Sequence, residues 1–221
     1  MGSVADQLNL RIVISDDVAQ PDFATLLARH RAEEPEVTLG LFEAPFRRQA
    51  EGLVNGVYDV GFAHSSGGRE GLVARAVWHH TLAAAVPARS PLLTYKRVPL
   101  EKIVRYPMVI WHPQAYEGTY QQVQRVLEAT NGEPVVVEQV ESFDLMMALV
   151  AAGYGVALGI ASRISAYRDL GVVMLPLAGG APSLTTYVLR SPAKPSESLE
   201  RFIERAALQQ VILSRTSSAD Q

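Results

Sequence analysis

The hydrophobic residues of this chain form two successive series of the same type: strand, helix, strand, helix, strand. The first series begins with an apolar segment at 10–14 and ends with 58–63, and the second runs from 108–111 to 156–160. Between the strands, apolar residues recur every three or four positions, which is typical of helices with one buried face. The pattern therefore predicts an α/β protein with two lobes of similar size, although the two series share no obvious sequence identity.

The elements inside each series follow from local signals. Asp22 is predicted to cap the first helix, which buries Phe23 and Leu26, and 37–42 alternates as a strand does. The other predicted elements are a helix burying Ala50, Leu53 and Val54, a long strand at 73–86, helices at 100–104 and 119–130, strands at 135–139, 172–175 and 185–189, and a last helix capped by Ser196.

One segment of the second series combines a helix, a turn, a strand and the start of another helix. Ser142 is its predicted N-cap, and Leu145, Leu149 and Ala152, with Met146 and Val150 beside them, recur at the spacing of a buried helical face. Gly153 is predicted to end the helix, because glycine enters the left-handed conformation without a steric penalty.

Gly153 and Gly155 together resemble the beginning of a dinucleotide-binding fingerprint, but their order excludes it. The fingerprint requires glycines between a strand and the helix after it, whereas these lie between a helix and the strand 156–160. Gly155 is predicted to let the chain turn directly into that strand, which is apolar on both faces, as in the interior of a parallel sheet. Ser162 is predicted to cap the next helix.

The two series also set the expected domain boundaries. Residues 1–87 form the first part of lobe I, 88–183 form lobe II, 184–213 return to lobe I, and 214–221 form a disordered tail. Two Rossmann-like lobes are thus joined by two crossing segments. Because ligands of open parallel sheets bind beyond the carboxyl ends of the strands, a ligand cleft between the lobes is expected.

The amino-acid composition excludes several classes of protein. The 221 residues are 48% hydrophobic and 19% charged, with a formal net charge of -3 and no cysteine. Lys and Arg are not clustered as a nucleic-acid surface requires, and no apolar run is long enough to span a membrane. Without a signal peptide the expected location is cytoplasmic, although a mature secreted protein would lack that peptide as well. The missing cysteines exclude disulfides and thiol catalysis.

Three segments together resemble the effector-binding domain of LysR-type transcriptional regulators, over 10 to about 208. They are LLARHRAEEP at 26–35, GLVNGVYDVG at 52–61 and LVAAGYGVALG at 149–159. The resemblance implies a type II periplasmic-binding-protein-like fold, a homodimer or homotetramer, and a small-molecule effector in the interlobe cleft. It also implies that DNA is bound only through an N-terminal winged helix-turn-helix, which this chain does not contain.

The resemblance implies effector contacts from the loops that follow the strands. Carried over by position, the contacts are Ser15, Asp16, Asp17, Ala44, Pro45, Phe46, His64, Ser65, His112, Pro113, Gln114, Phe143, Gly159 and Ile160. Ser15 either donates to an anionic effector or is an ordinary strand-end hydroxyl. Asp16 and Asp17 either favour an effector with amino or hydroxyl groups, or cap the next helix or face water.

The other candidate groups also have two interpretations each. His64 and His112 follow equivalent strands, so they are either donors on opposite cleft walls or surface-loop histidines. Phe143 lies either on the cleft floor or in the core. Arg47 and Arg48 either attract a carboxylate or are solvated, and the adjacent His79 and His80 would point to opposite faces of a strand, which makes them poor joint metal ligands.

Enzymes with a similar architecture are disfavoured. Porphobilinogen deaminase requires a cysteine, prephenate dehydratase requires a Thr-Arg-Phe triplet, and neither is present. No Gly-x-Ser-x-Gly or His-Glu-x-x-His motif occurs, so we expect neither catalysis nor a cofactor or bound metal. The alternative function is a periplasmic solute-binding protein of a transporter, whose cleft would close on its ligand in the same way.

Overall fold

The computed structural model describes residues 9–15, 18, 21–68, 70–130, 132–180 and 182–217, with side chains described through residue 208. The chain divides into two compact units. The first unit is Met1–Trp78 with Thr185–Gln221, and the second is His79–Leu184. Two strands, β4 (Val73–Pro87) and β9 (Ser183–Arg190), cross from one unit to the other.

The first unit contains a β1-α1-β2-α2-β3 series and the returning end of the chain. Its elements are β1 (Asn9–Ile14), α1 (Pro21–Glu33), β2 (Thr38–Glu43), α2 (Phe46–Val54), β3 (Val60–Ala63) and α7 (Glu197–Ser217). Strand β1 pairs in parallel with β2 and β3, and β3 pairs antiparallel with β9. The carboxyl ends of three parallel strands therefore lie side by side.

Neighbouring residues of β1 belong to different core clusters in this unit. Ile12 packs with α1 and α7, where Phe62 stacks on Trp78 with ring centroids 5.2 Å apart. Val13 packs instead with the buried face of α2, including Phe46 and Leu53. The strand is therefore covered by helices on both faces, as its apolar sequence predicts.

The second unit repeats the strand and helix order of the first. Its elements are α3 (Leu100–Ile103), β5 (Met108–Trp111), α4 (Glu117–Glu128), β6 (Val136–Val140), α5 (Phe143–Ala151), β7 (Ala157–Ile160), α6 (Ala161–Ser165) and β8 (Val172–Pro176). Strand β5 pairs in parallel with β6, and a single bridge joins Met108 to Val156 just before β7. The β5-α4-β6-α5-β7 order confirms the predicted repeat.

Strand β7 is buried along its whole length, as predicted, but its surroundings are mixed rather than parallel. It pairs antiparallel with β4, through Ala84 and Leu158, and β4 pairs antiparallel with β8. The apolar sequence predicts that both faces of β7 are covered, but it does not predict the direction of the neighbouring strands. A parallel and an antiparallel neighbour bury an apolar strand equally well.

The structure confirms one part of the prediction for helix α5 and corrects another. Ser142 caps it by accepting a hydrogen bond from the Leu145 amide at 3.1 Å, and Gly153 ends it at φ +84°. The buried face contains the predicted Met146 and Val150 together with Met147, whereas Leu145, which was predicted to be buried, is 50% exposed. The centre of the buried face thus lies about one residue, or 100° of rotation, from Leu145, and the sequence does not define it more closely because this helix is apolar almost all round.

Three helix boundaries also differ from the prediction. Helix α1 begins at Pro21, so Asp22 lies in its first turn rather than at its N-cap. Helix α6 begins at Ala161 with no side-chain cap, so Ser162 is not the N-cap. Helix α7 continues through Ser217, past the predicted start of the tail at 214, while 218–221 lie outside the described residues. Ser196 does accept a hydrogen bond from the Leu199 amide at 3.3 Å, as a cap does.

A buried ion network joins α1 to α7 inside the first unit. Arg205 donates to Glu34 at 3.0 Å and to Glu33 at 2.5 Å, and Arg201 also donates to Glu34. The hydrogen bond from Arg205 holds the pKa of Glu34 below its ordinary value, although burial acts in the opposite direction. Burial opposes the charge of Arg205 as well, but its two carboxylate partners outweigh that effect and raise its pKa.

Candidate functional site

The loops after β1, β2 and β3 meet at one edge of the first unit. The Ser15 amide donates to the Phe62 carbonyl at 3.0 Å, and the Ala44 amide donates to the Ile14 carbonyl at 3.1 Å. Two of the predicted contacts, Asp16 and Asp17, lie outside the described residues. The predicted contact loops are thus brought together here, because parallel neighbours end at the same edge.

The predicted contacts in these loops differ in accessibility. Phe46 is 5% exposed and packs in the core with Val13 and Leu189, so its side chain is structural. Pro45 precedes α2 and is exposed, and Ala44 and Ser65 are half-buried. His64 is buried rather than a surface-loop histidine. Arg47 and Arg48 are exposed, which agrees with both interpretations of these residues.

Gln49 is a buried polar residue of this edge that the sequence did not single out. Its side-chain amide donates to the Val13 carbonyl at 2.9 Å and to the Phe62 carbonyl at 3.0 Å, and its oxygen accepts from the Ser15 hydroxyl at 3.0 Å. It lies on the buried face of α2, beside Ala50. A polar residue within an apolar helical stripe was the available signal.

Thr186 on β9 is a second residue that the sequence did not single out. It is fully buried, and among the described residues its hydroxyl has no hydrogen-bond partner. It directly precedes Tyr187, which pairs with Ala63 next to the predicted contact His64. A buried hydroxyl without a partner costs folding free energy, because water bonds it in the unfolded chain.

Replacing Thr186 with valine should therefore raise the free energy of unfolding by about 1–2 kcal/mol, since valine keeps the shape and removes the unpaired hydroxyl. Urea unfolding followed by circular dichroism measures the change. The matched control is Thr185→Val, at the neighbouring half-buried position, which should give no gain. A loss of stability in Thr186→Val would contradict the expectation and indicate that the hydroxyl is bonded.

In the second unit, the predicted contacts follow β5 and β7. The His112 amide donates to the Val140 carbonyl at 2.8 Å, and the Gln114 amide donates to His112 Nδ1 at 3.3 Å. In the neutral imidazole, the proton is therefore on Nε2. Pro113 and His112 are half-buried, whereas Gln114 is exposed. The Glu141 carboxylate lies 3.9 Å from His112 Nδ1.

Phe143 belongs to the core and not to an open cleft floor, because it is 4% exposed. Its ring packs against Trp111 and Tyr167, with centroids 6.1 and 5.5 Å away. Gly159 lies against the same ring, since a Cβ there would be 3.3 Å from Phe143 Cε2. Ile160 is also buried, but its side chain packs in a different core cluster.

The guanidinium of Arg163 covers the Phe143 ring, with Cζ 4.0 Å from the ring centroid. Arg163 lies in α6, directly after the predicted contacts of β7, yet the sequence did not single it out as a site residue. Stacking on an aromatic face orients a guanidinium while its N–H groups stay in the plane, where they can bind a carboxylate. The second unit thus holds an oriented cation beside the predicted contacts.

Other site types are less well supported in the part of the chain that the structure describes. A cavity of about 680 Å³ lies in the second unit between Leu100, Arg125, Thr130 and Gly179, but none of the predicted contacts lines it. Among the described residues, no group of three or more metal-ligating side chains is close enough to hold an ion. No described helix is long and apolar enough to cross a membrane.

Comparison with known proteins places this arrangement in a family. The sequence model of the LysR substrate binding domain matches residues 5–209. The chain belongs to this family. A relative, the uncharacterized HTH-type transcriptional regulator YnfL of Escherichia coli (strain K12), is 28% identical over 60% of this chain and 44% of its own length. The chain spans about half the length of the curated relatives it matches.

Solved structures of LysR effector-binding domains share the fold. The BenM effector binding domain with its effector benzoate has a TM-score of 0.83 at 20% identity, and the match covers 94% of this chain and 93% of that one. The QuiR effector binding domain in complex with shikimate has a TM-score of 0.79 at 16% identity, covering 90% and 95%. The predicted type II periplasmic-binding-protein-like fold is confirmed. The transporter alternative is not supported, because the relatives are transcriptional regulators.

Proposed function

We propose that this chain is the ligand-sensing domain of a LysR-type transcriptional regulator, and that a small-molecule effector binding to it controls DNA binding by the full-length protein. The observation that supports this proposal is the position of the contact loops, which follow the carboxyl ends of β1, β2 and β3 in one unit and of β5 and β7 in the other. The cleft between the lobes and the individual contacts remain predictions.

The full-length protein would carry the DNA-binding part and act as a homodimer or homotetramer in the cytoplasm. Apolar side chains exposed on two strands support self-association: Leu41 and Phe42 on β2, and Val136 and Val137 on β6. Exposed apolar strands are unusual in a monomer, because they invite pairing with another chain. The proposed role is binding without catalysis.

The effector class that fits best is a carboxylate. BenM has benzoate as its effector and QuiR binds shikimate, and both of these molecules are carboxylates. In this chain, the cation that suits a carboxylate is Arg163, which Phe143 holds next to Gly159. A guanidinium on an aromatic face remains charged at every working pH and can present two parallel donors.

Arg163→Ala should weaken binding of a carboxylate effector at least about tenfold, since a hydrogen bond between charged groups contributes roughly 1.5–3 kcal/mol. The measurement is isothermal titration calorimetry with the carboxylates that raise the melting temperature in a panel including benzoate and shikimate. Arg163→Lys is the control, and should retain part of the affinity because it keeps the charge but loses the planar donor pair.

Two outcomes would count against this proposal in different ways. Equal carboxylate affinity in Arg163→Ala and the original chain would remove Arg163 from the site but leave the sensing function intact. Stabilisation by neutral ligands alone would overturn the carboxylate class. Melting temperature is a suitable screen because a ligand that binds only the folded state stabilises it in proportion to RT ln(1 + [L]/Kd).

A further inference from the structure

The second unit contains a cavity that lies apart from the loops after β5 and β7. Its volume is about 680 Å³, within the usual range for sites of small molecules, and it is open to solvent. Three segments form its walls: the start of α3, the last turn of α4, and the segment 177–180 after β8, with Pro182. All three belong to the unit His79–Leu184, so the cavity is complete within one unit.

Part of the lining is apolar and continuous with the core of this unit. Leu177 is 1% exposed and packs in the same core cluster as Leu127. Leu100 and Val126 pack against that cluster but remain only partly buried. Covering their exposed surface removes apolar area from water, which is favourable. The cavity therefore favours a ligand with an apolar body.

Backbone hydrogen bonds hold the walls of the cavity in place. The Ala178 amide donates to the Val98 carbonyl at 2.9 Å, and the Leu82 amide donates to the Pro182 carbonyl at 2.8 Å. Both ends of the segment after β8 are thus fixed to neighbouring backbone, and the opposite wall is a helix of 12 residues. The walls are formed before a ligand arrives, so binding requires little ordering of the chain.

Two opposite charges line the cavity without neutralising each other. Arg125 lies in the last turn of α4 and Glu101 lies in α3, and both side chains are exposed. In the part of the chain that the structure describes, neither forms an ion pair or a side-chain hydrogen bond, so their charged atoms are more than 4.0 Å apart. Both charges are therefore available to a ligand.

This pair of charges discriminates between classes of ligand. A carboxylate alone would gain an attraction to Arg125 but would share the cavity with Glu101, and an amine alone would meet the reverse situation. A molecule that carries both signs can pair with both side chains. The C-terminal end of α4, at Thr130, adds partial negative charge to the lining and further favours an ammonium group.

We propose that this cavity is a second ligand site of the domain, and that it binds a zwitterion with an apolar body, an apolar amino acid or dipeptide. Arg125 binds the carboxylate, Glu101 binds the ammonium group, and Leu100 and Val126 contact the apolar side chain. None of the predicted effector contacts lines the cavity, so this proposal goes beyond the proposed function and does not depend on it. The domain would then bind two different small molecules at two separate sites.

The position of the site is tested by nuclear magnetic resonance, with titration of the 221-residue chain by phenylalanine and by leucyl-leucine. At least one compound should shift the backbone amide signals of Ala129, Gly179 and Gly180 and leave those of Gly159 and Arg163 unchanged. Shifts confined to Gly159 and Arg163 would overturn the second site and leave the proposed function intact. No shifts with either compound at about 10 mM, where a site with a Kd near 1 mM is mostly occupied, would also overturn it.

The role of each charge is tested with blocked derivatives of the compound that binds. The amide lacks the carboxylate and the N-acetyl derivative lacks the ammonium group, so each should bind at least about threefold more weakly than the parent compound. Arg125→Gln should remove the preference over the amide and keep the preference over the N-acetyl derivative, and Glu101→Gln should do the reverse.

The matched controls are Arg105→Gln and Glu128→Gln, at exposed positions of the same unit that do not line the cavity. Both controls should keep both preferences. Equal affinities for the parent compound and its two derivatives would overturn the proposal. Preferences that stay unchanged in Arg125→Gln or in Glu101→Gln would overturn the assignment of the zwitterion to these two side chains.

Discussion

Replacing Arg205 with methionine should lower the free energy of unfolding by about 2–4 kcal/mol. Arg205 is 7% exposed and is bonded to both Glu33 and Glu34, and Glu34 is itself 6% exposed. Removing Arg205 leaves the buried Glu34 carboxylate with Arg201 as its remaining arginine partner, so its charge is only partly compensated. The cost is then lower than that of a fully unpaired buried charge but higher than the contribution of an exposed pair. Urea unfolding measures the change, and the denaturant slope should stay constant if the unfolded state is unchanged.

Two further variants separate this effect from a general loss of charge. Arg29→Ala breaks a pair with Glu33 that is largely exposed, so it should lower the free energy of unfolding far less than Arg205→Met does. Arg205→Met combined with Glu34→Leu removes both buried charges and should recover much of the lost stability, because apolar residues of similar volume often replace buried ion pairs without loss. A loss below 1 kcal/mol for Arg205→Met would show that the network is solvated.

The network also gives stability a defined dependence on pH. Hydrogen bonds from Arg205 lower the folded-state pKa of both Glu34 and Glu33, whose ordinary value is 4.5. A lowered carboxyl pKa stabilises the fold fully above that ordinary value, and the contribution is lost as pH falls through the folded-state value. The original chain should therefore lose stability on acidification below about pH 4.5, and Arg205→Met should lose less. The raised pKa of Arg205 has no effect in this range, because arginine stays protonated.

The order of the elements could be predicted from the sequence because it depends on periodicity alone. Strands β1 and β5 and the two helix series follow from runs and stripes of apolar residues, which mark burial wherever the partner lies. The rotation of α5 could not be predicted, since its apolar residues nearly encircle the helix. Strand direction around β7 could not be predicted either, because burial does not distinguish parallel from antiparallel neighbours.

The candidate site was less predictable than the fold because its side chains act through partners that are distant in the chain. Gln49 acquires its role from carbonyls 36 and 13 residues away. Arg163 acquires its orientation from Phe143, on a different helix. The rule that contacts follow the strands correctly predicts that the contact loops lie together. It does not predict which side chains, such as those of Phe46 and Ile160, are buried in the core.

The role of Gly155 could not be predicted from the sequence either. The sequence suggested a turn, but Gly155 is not one of the described glycines with positive φ. Its role is close packing: a Cβ there would lie 2.4 Å from the Pro107 oxygen and 2.9 Å from the Pro107 carbonyl carbon. Both are backbone atoms, and the Val156 amide donates to that same oxygen at 2.8 Å. Space for a methyl group therefore exists only if the chain before β7 moves away from β5.

Gly155→Ala should consequently cost about 3 kcal/mol or more, at or above the usual upper limit for overpacking, because no flexible side chain can yield. Gly153→Ala is the matched control two residues away. Gly153 has φ +84° and open space around its missing Cβ, so alanine there costs only the strain of the left-handed conformation, about 1–2 kcal/mol.

Asparagine variants distinguish backbone strain from overpacking. Asparagine tolerates the left-handed conformation, so Gly153→Asn should cost less than Gly153→Ala, whereas Gly155→Asn should be at least as destabilising as Gly155→Ala. If the two alanine variants lose the same free energy of unfolding, both glycines are required by the turn. The close approach of the chain before β7 to the chain before β5 would then not be the reason for glycine at position 155.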